Sequence, residues 1–227
     1  MSAPLKMDVI TIFPGMLSGF LGESMIKRAM QAGLVDLNPV DLRDFTHDTH
    51  RTTDDRPYGG GPGMVMKPEP IFEAVAAVKT TAARVILMSP QGRPFSQALA
   101  RELAQERHLV FICGHYEGVD ERVREALVTD EISIGDYVLT NGVLPAAVVI
   151  DAVTRLIPGV LGHDQSAQDE SFADGLLEYP QYTRPPVYDG RSVPDVLLSG
   201  DHGAVETWRR QQARERTRRW RPDLLKE

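Results

Sequence analysis

Leu109-Val110-Phe111-Ile112-Cys113 runs straight into Gly114-His115-Tyr116-Glu117-Gly118, and this passage from an apolar run to a glycine-bearing turn decides the fold class. Consecutive apolar residues bounded by turn formers predict a strand buried on both faces. The pattern recurs. Residues 84–88 form a second such run that ends at Ser89-Pro90-Gln91-Gly92, and another strand ends at Ile134-Gly135-Asp136-Tyr137. Helical periodicity fills the intervals. Residues 69–79 predict an amphipathic helix with Phe72, Val75 and Ala76 inward, and Ser96 is placed to cap a helix running to Arg107. Upstream, a strand over 8–13, a helix over 15–31 closed by Gly33 and a strand over 35–40 repeat the alternation. Downstream, an apolar helix over 144–157 stops at Pro158-Gly159. Alternating strands and helices predict an α/β fold with a mostly parallel sheet, whose ligands bind at the carboxyl ends of the strands.

The chain has 227 residues, enough for one large domain or a medium one with a small partner. Residues 1–162 carry the alternating pattern, 163–174 turn polar and predict an interdomain linker, and 175–227 form a small helical domain. The single cysteine, Cys113, excludes an intramolecular disulfide framework and a multi-cysteine zinc site. It closes an apolar strand, so burial explains it better than nucleophilic chemistry. The apolar runs are too short to span a bilayer and the first residues lack signal-peptide character. A cytoplasmic protein without a membrane partner is expected.

The formal net charge of −7 is unevenly distributed. Between residues 207 and 221 stand seven arginines, among them Arg209, Arg210, Arg214 and Arg218, against the single acid Glu215, with Trp208 and Trp220 at the ends. A solvated helix face would interleave carboxylates, so phosphate is the expected partner of this segment. A second polar stretch, Asp54-Asp55-Arg56-Pro57-Tyr58-Gly59-Gly60-Gly61-Pro62-Gly63-Met64, has a backbone suited to close contact. It lacks the lysine and hydroxyl residue of a phosphate loop, and no Gly-x-Gly-x-x-Gly opens a helix, which disfavours nucleotide triphosphatases and dinucleotide enzymes. His47 and His50 have no third ligand at a recognised metal spacing.

Several ordered motifs together are far more specific than any one. Residues 41–48, the 54–64 loop, Cys113-Gly114-x-Tyr116-Glu117-Gly118, Ser133-Ile134-Gly135-Asp136-Tyr137-Val138-Leu139, Pro158-Gly159-Val160-Leu161-Gly162, Tyr182-Thr183-Arg184-Pro185 and Val196-Leu197-Leu198-Ser199-Gly200 resemble the bacterial tRNA (guanine-N1)-methyltransferases over nearly the whole chain. The resemblance implies a SPOUT-type α/β fold with a deep trefoil knot, although sequence patterns alone argue against knots. It implies a homodimer sharing its active site between subunits, and methyl transfer from S-adenosylmethionine to N1 of guanosine 37 in tRNA, which supports reading-frame maintenance. Cofactor contacts fall on Ser89, Pro90, Gly92, Gly114, Tyr116, Glu117, Ile134, Gly135, Asp136, Tyr137, Val138, Leu139, Gly142 and Pro145. Magnesium is implied as an assisting ion.

Methylation at guanine N1 requires a base for the N1 proton and a cation for charge developing at O6. The resemblance assigns the cation to Arg155 and the base to Glu170, with Asp169 secondary. Taken alone, Arg155 reads as a surface ion-pair residue and Glu170 as a solubilising linker residue. Four positions depart from the family pattern: Glu170 stands for an aspartate, His115 for an arginine, Asn141 for a glycine and Val143 for an acid. Asn tolerates left-handed backbone, so the turn at Asn141 is expected to persist. Arg56 and Tyr58 of the glycine loop, with Arg209, Arg210, Arg214 and Arg218, are the candidate tRNA contacts. The departures at Glu170, His115 and Asn141 motivate one rival reading, an RNA-binding homologue without catalysis; a knotted methyltransferase for another nucleobase or ribose is a second, disfavoured by the match through the second domain.

Overall fold

The computed structural model describes residues 3–162, 170–172 and 175–225. The chain divides into two compact units, Met1–Gly162 and His163–Glu227.

The first unit contains, in chain order, β1 (Leu5–Thr11), α1 (Ser18–Gly22), α2 (Ser24–Gln31), β2 (Val35–Asp41), β3 (Asp54–Asp55), β4 (Val65–Met66) and α3 (Pro68–Val78). After these come β5 (Arg84–Pro94), α4 (Gln97–Leu103), β6 (His108–Cys113), α5 (Glu121–Leu127), β7 (Asp130–Ser133) and α6 (Val143–Thr154). Five strands form one sheet in the order β2-β1-β6-β5-β7, and every pairing in it is parallel. Strand alternation assigns the two faces. Met7, Val9, Ile86, Met88, Leu109 and Phe111 join one apolar cluster with residues of α2, α4 and α6, whereas Ile10, Val85, Leu87, Val110 and Ile112 join the other with α3 and α5. Side chains as buried as Phe111, Met7 and Ile86 each contribute roughly 1.5–3 kcal/mol. One carboxylate lies among them. Asp8 is fully buried, accepts from Asn38 Nδ2 at 2.7 Å, meets His108 Nε2 at 2.7 Å and pairs with Lys6 Nζ at 3.0 Å, so it ties β1 to both neighbouring strands.

Four local expectations are corrected. The helix over 15–31 is broken into a 3-10 turn, α1 and α2, because Ser24 takes φ +51°, outside the helical region. The first strand begins at Leu5, where pairing with β2 starts, and pairing with β6 follows from Lys6. In α3 the inward face is Ile71, Ala74 and Val75, with Phe72 half-buried and Ala76 exposed. The Ser96 hydroxyl does accept from Leu99 N–H, but the helix ends at Leu103.

Strand β5 is longer than its apolar run because it pairs with β7 twice: Met88 and Arg93 both oppose Ile132, with 89–92 bridging between them. Phe95 N–H then donates to Ser133 O at 2.7 Å. Arg84 and Arg93 hold this crossing by pairing with Asp130.

Where a small helical domain was expected, the described residues of the second unit form one long helix, short 3-10 turns and a two-stranded hairpin. The hairpin is β8 (Val187–Tyr188) with β9 (Arg191–Ser192), and the helix is α7 (His202–Trp220). Asp201 caps α7 by accepting from Ala204 N–H at 3.0 Å. Thr217, fully buried, accepts from Leu177 N–H at 2.8 Å and donates to Ala213 O at 2.7 Å, which pins the segment before the hairpin to the helix.

Candidate methyl-donor site

The point where the apolar run of β5 ends, at residues 87–91, and the carboxyl ends of β6 and β7 open into one cavity of about 440 Å³, within the range of small-molecule sites. Each wall has a local cause. Within β5, Gln91 N–H donates to Ser89 Oγ at 3.1 Å in the 89–92 stretch that bridges its two pairings. After β6, Gly118 N–H reaches His115 O at 3.0 Å, and the turn needs φ +57° at Tyr116 and +119° at Gly118. After β7, Gly135 N–H donates to Ser133 Oγ, while Tyr137 Oη donates to Ile134 O at 3.3 Å.

Two backbone crossings fix these walls. Gly142 N–H donates to Gly114 O at 2.9 Å, and a Cβ at 142 would lie 2.8 Å from Cys113 Cα. The glycine loop is stitched to the second wall, since Glu117 N–H donates to Met64 O at 3.0 Å and Met66 N–H to Gly118 O at 2.9 Å. A Cβ at Gly63 would fall 2.3 Å from the Glu117 carboxylate. The loop expected to face RNA therefore also buttresses the turn beside the cavity.

Of the sequence-predicted cofactor residues, Ser89, Pro90, Gly114, Tyr116, Glu117, Ile134, Gly135, Tyr137, Val138, Leu139, Gly142 and Pro145 line the cavity. Gly92 and Asp136 do not. Gly92 lies against the backbone of β7, where a Cβ would be 2.4 Å from the Glu131 carbonyl carbon, and Asp136 is exposed. Glu121 and Arg124 of α5 line the cavity without having been singled out by sequence. Arg124 pairs with Glu121 at 2.8 Å and Glu131 at 3.1 Å. The legible signal was Asp120 directly after the glycine turn, whose carboxylate caps α5 by accepting from Arg122 N–H and so aims the helix start at the site.

Electrostatics separate the candidates. Burial pushes the Cys113 thiol well above its ordinary range, which leaves it no thiolate for nucleophilic work. Burial and the neighbouring Asp54 carboxylate raise the Tyr116 hydroxyl, against the opposing charge of Arg43. His115 stands edge-on between Phe13, at 5.2 Å, and Tyr116, at 4.5 Å. Its buried Nδ1 has no hydrogen-bond partner among the described residues. Asn141 preserves its turn by a route other than the one expected: its backbone is not left-handed, and its side chain accepts from Val143 N–H at 2.9 Å.

Arg155 caps the carboxyl end of α6 and is half-buried. Glu170 is half-buried and belongs to the second unit. Asp169 and most of the expected linker lie outside the described residues. Tyr58 is fully exposed at the tip of the glycine loop, and Arg56 is exposed beside it. Arg210, Arg214 and Arg218 follow one another at helical spacing on an exposed face of α7, with Arg210 paired to Glu206. The Arg209 guanidinium lies 4.7 Å over the Tyr179 ring. Among the described residues no group of three His, Cys, Asp or Glu side chains is placed to hold a metal ion, and no helix is long and apolar enough to cross a membrane.

Residues 5–227 match the profile of the family described as tRNA (guanine-1)-methyltransferase TrmD. A tRNA (guanine-N(1)-)-methyltransferase of Moorella thermoacetica is 62% identical over 225 residues, covering 97% of this chain and 90% of that protein. The proteins of the same description from Staphylococcus carnosus, 58% identical, and Geobacillus kaustophilus, 56% identical, cover 97% and 98% of this chain and 91% and 92% of their own lengths.

Proposed function

The chain belongs to the tRNA (guanine-1)-methyltransferase family, and on that premise we propose that it methylates N1 of guanosine 37 in tRNA, beside the anticodon, with S-adenosylmethionine as donor. It is a tRNA (guanine-N1)-methyltransferase by the match of family and relatives over nearly its full length. The observation that carries the donor assignment is the cavity between the apolar run of β5 and the carboxyl ends of β6 and β7. Its walls offer backbone N–H and C=O groups at glycine turns, apolar contacts from Val138, Leu139 and Pro145, and the Glu117 carboxylate. That mixture fits a cationic sulfonium carrying an adenosine and an amino acid. When bound there, S-adenosylmethionine supplies a methyl group activated by the positive sulfur.

The protein's own residues then have three tasks. Guanine N1 becomes nucleophilic as its proton passes to a carboxylate, assigned to Glu170, with Asp169 secondary. Charge shifts to O6, where the Arg155 guanidinium stabilises it as it develops. With S-adenosylmethionine bound, the carboxylate would keep the N1 proton while the methyl group passes to N1 and S-adenosylhomocysteine is released. Magnesium belongs to this reading as an assisting ion that would offset charge at O6; among the described residues no side-chain cluster would hold it, and no step is routed through it.

Homodimerisation and a knot complete the proposal. Leu144 and Val148 on α6, and Val138, Leu139 and Met16, are exposed apolar side chains of the kind a second copy would cover. The double pairing of β5 with β7 and the close passage of Gly142 over β6 support threading of the chain through itself. Cytoplasmic location and a contribution to reading-frame maintenance follow from the substrate.

The deciding experiment gives the protein labelled S-adenosylmethionine and tRNA transcripts with guanosine or adenosine at position 37. Labelled 1-methylguanosine from the first alone supports the assignment. Its absence from both, or label on ribose or another base, overturns it.

A further inference from the structure

The second unit holds a cavity of its own, of about 580 Å³, between the segment leading into the hairpin and the start of α7. Its floor is apolar. Pro186 and Val193, joined by a 2.9 Å backbone hydrogen bond that closes the hairpin, meet Leu197, Leu198 and Val205 there. Aromatic rings form the wall. Tyr182 is about half exposed, at 49%, and is braced by Trp208 with ring centres 6.4 Å apart. The Tyr179 ring carries the Arg209 guanidinium across its face.

The rim is cationic. Arg184 and Arg209 line the cavity, no carboxylate lines it, and neither arginine is ion-paired among the described residues. A flat apolar body joined to an anion matches this combination, because the ring and floor accept a π-face while a guanidinium accepts phosphate oxygens. Arg209 also continues the basic surface of α7, which suits a polyanion more than an isolated small molecule.

We infer that this cavity is a subsite for one unpaired nucleotide of the tRNA, with its base stacked on Tyr182 and its phosphate held by Arg184 and Arg209. The inference rests on the proposed tRNA methylation and adds a place to it. Guanine N1 lies on the Watson–Crick edge, so the target must be unpaired, and its neighbours in a loop have free faces to offer. The Tyr182-Thr183-Arg184-Pro185 motif thereby acquires a use distinct from the donor cavity.

The test uses full-length protein and tRNA carrying 2-aminopurine at successive loop positions. One position is expected to change fluorescence on binding by the wild type and to lose that change in Tyr182→Ala. The same variant should bind tRNA about 10- to 100-fold more weakly, in line with the loss of one base stack. Tyr182→Phe should remain within about threefold because it keeps the ring. Leu198→Glu, at a side chain 59% exposed, keeps the fold while placing a carboxylate in the cavity, and should weaken tRNA binding more than tenfold. Arg184→Gln should lower the salt-dependence slope by roughly 0.7–0.9. Wild-type affinity in both Tyr182→Ala and Leu198→Glu overturns the subsite, and so does a change of oligomeric state in either, which would make the cavity a contact between copies. Failure of the wild type to form 1-methylguanosine would instead overturn the underlying function.

Discussion

Gly142→Ala tests whether the cavity proposed for the donor depends on backbone crossing. Gly142 has φ −83°, which alanine adopts freely, so any effect must come from contact. An added Cβ would stand 2.8 Å from Cys113 Cα and 3.2 Å from both Gly114 N and Met88 Cβ. Carbon atoms rest at about 3.5–4.0 Å, so the loop must retreat by roughly 0.7 Å or more. That retreat stretches the 2.9 Å bond from Gly142 N–H to Gly114 O beyond useful range. Overpacking costs about 1–3 kcal/mol and the hydrogen bond about 1 kcal/mol more, a loss of roughly 2–4 kcal/mol. At about 2–4 °C per kcal/mol, thermal unfolding should fall by roughly 5–15 °C. S-adenosylmethionine affinity, read by titration calorimetry, should drop at least tenfold because two cavity walls meet at this crossing. Gly19→Ala is the control: it lies in α1 with nothing within 4 Å of its Cβ position, and should stabilise by about 0.5–1 kcal/mol. If both variants keep wild-type melting and donor affinity, the close-crossing account is refuted.

In single-turnover methylation, Glu170→Gln should slow chemistry at least a hundredfold while Asp169→Asn has the smaller effect; impairment of the Asp169 variant alone would reassign the base. Reversing charge at Arg210, Arg214 and Arg218 together should weaken tRNA binding and flatten its salt dependence by about 2–3 in slope, since each phosphate contact contributes roughly 0.7–0.9; an unchanged slope removes α7 from the interface. Asp130 is raised by burial but lowered more by its hydrogen bonds to Arg84 and Thr129, so its folded carboxyl titrates below the unfolded value. Its contribution is complete above pH about 4 and lost as pH falls through the lower folded value. Asp130→Asn should therefore reduce stability at neutral pH by about 1–3 kcal/mol, since Arg84 keeps Glu102 and Glu106 as partners, and lessen the acid dependence measured by denaturant unfolding.

The apolar runs that open the sequence reading became β5 and β6 because buried parallel strands have no polar face to confuse their period. Their ends located the cavity for the same reason: a glycine after a buried strand marks where the chain leaves the sheet. Composition was weaker wherever one backbone conformation mattered. Nothing about Ser24 signals φ +51°, so one helix was expected where α1 and α2 stand. The second pairing of β5 with β7 was equally invisible, since Ser89-Pro90-Gln91-Gly92 reads as a turn. Gly92 has a packing need of its own, since it permits close approach to the β7 backbone, and such a need leaves the same glycine in the sequence as a ligand contact does.

Asn141 carries this one step further, toward how the site tolerates change. A glycine at such a turn is replaceable only if its conformation is open to other residues, and Asn141 meets that condition by avoiding left-handed backbone. Its side-chain oxygen then takes the N–H of Val143, one of the unpaired donors at the start of α6. Gly142, one residue on, has no such freedom because backbone atoms of Cys113 and Gly114 occupy the space beside it. Neighbouring positions in one motif thus differ for a steric reason. Asn141→Gly should lose the hydrogen bond to Val143, cost about 1 kcal/mol and leave donor affinity within a few fold, whereas Gly142→Ala lowers both. Equal loss of donor affinity in the two variants would mean that the motif acts through the conformation of the whole turn, and that the crossing at Gly142 is not what holds the cavity.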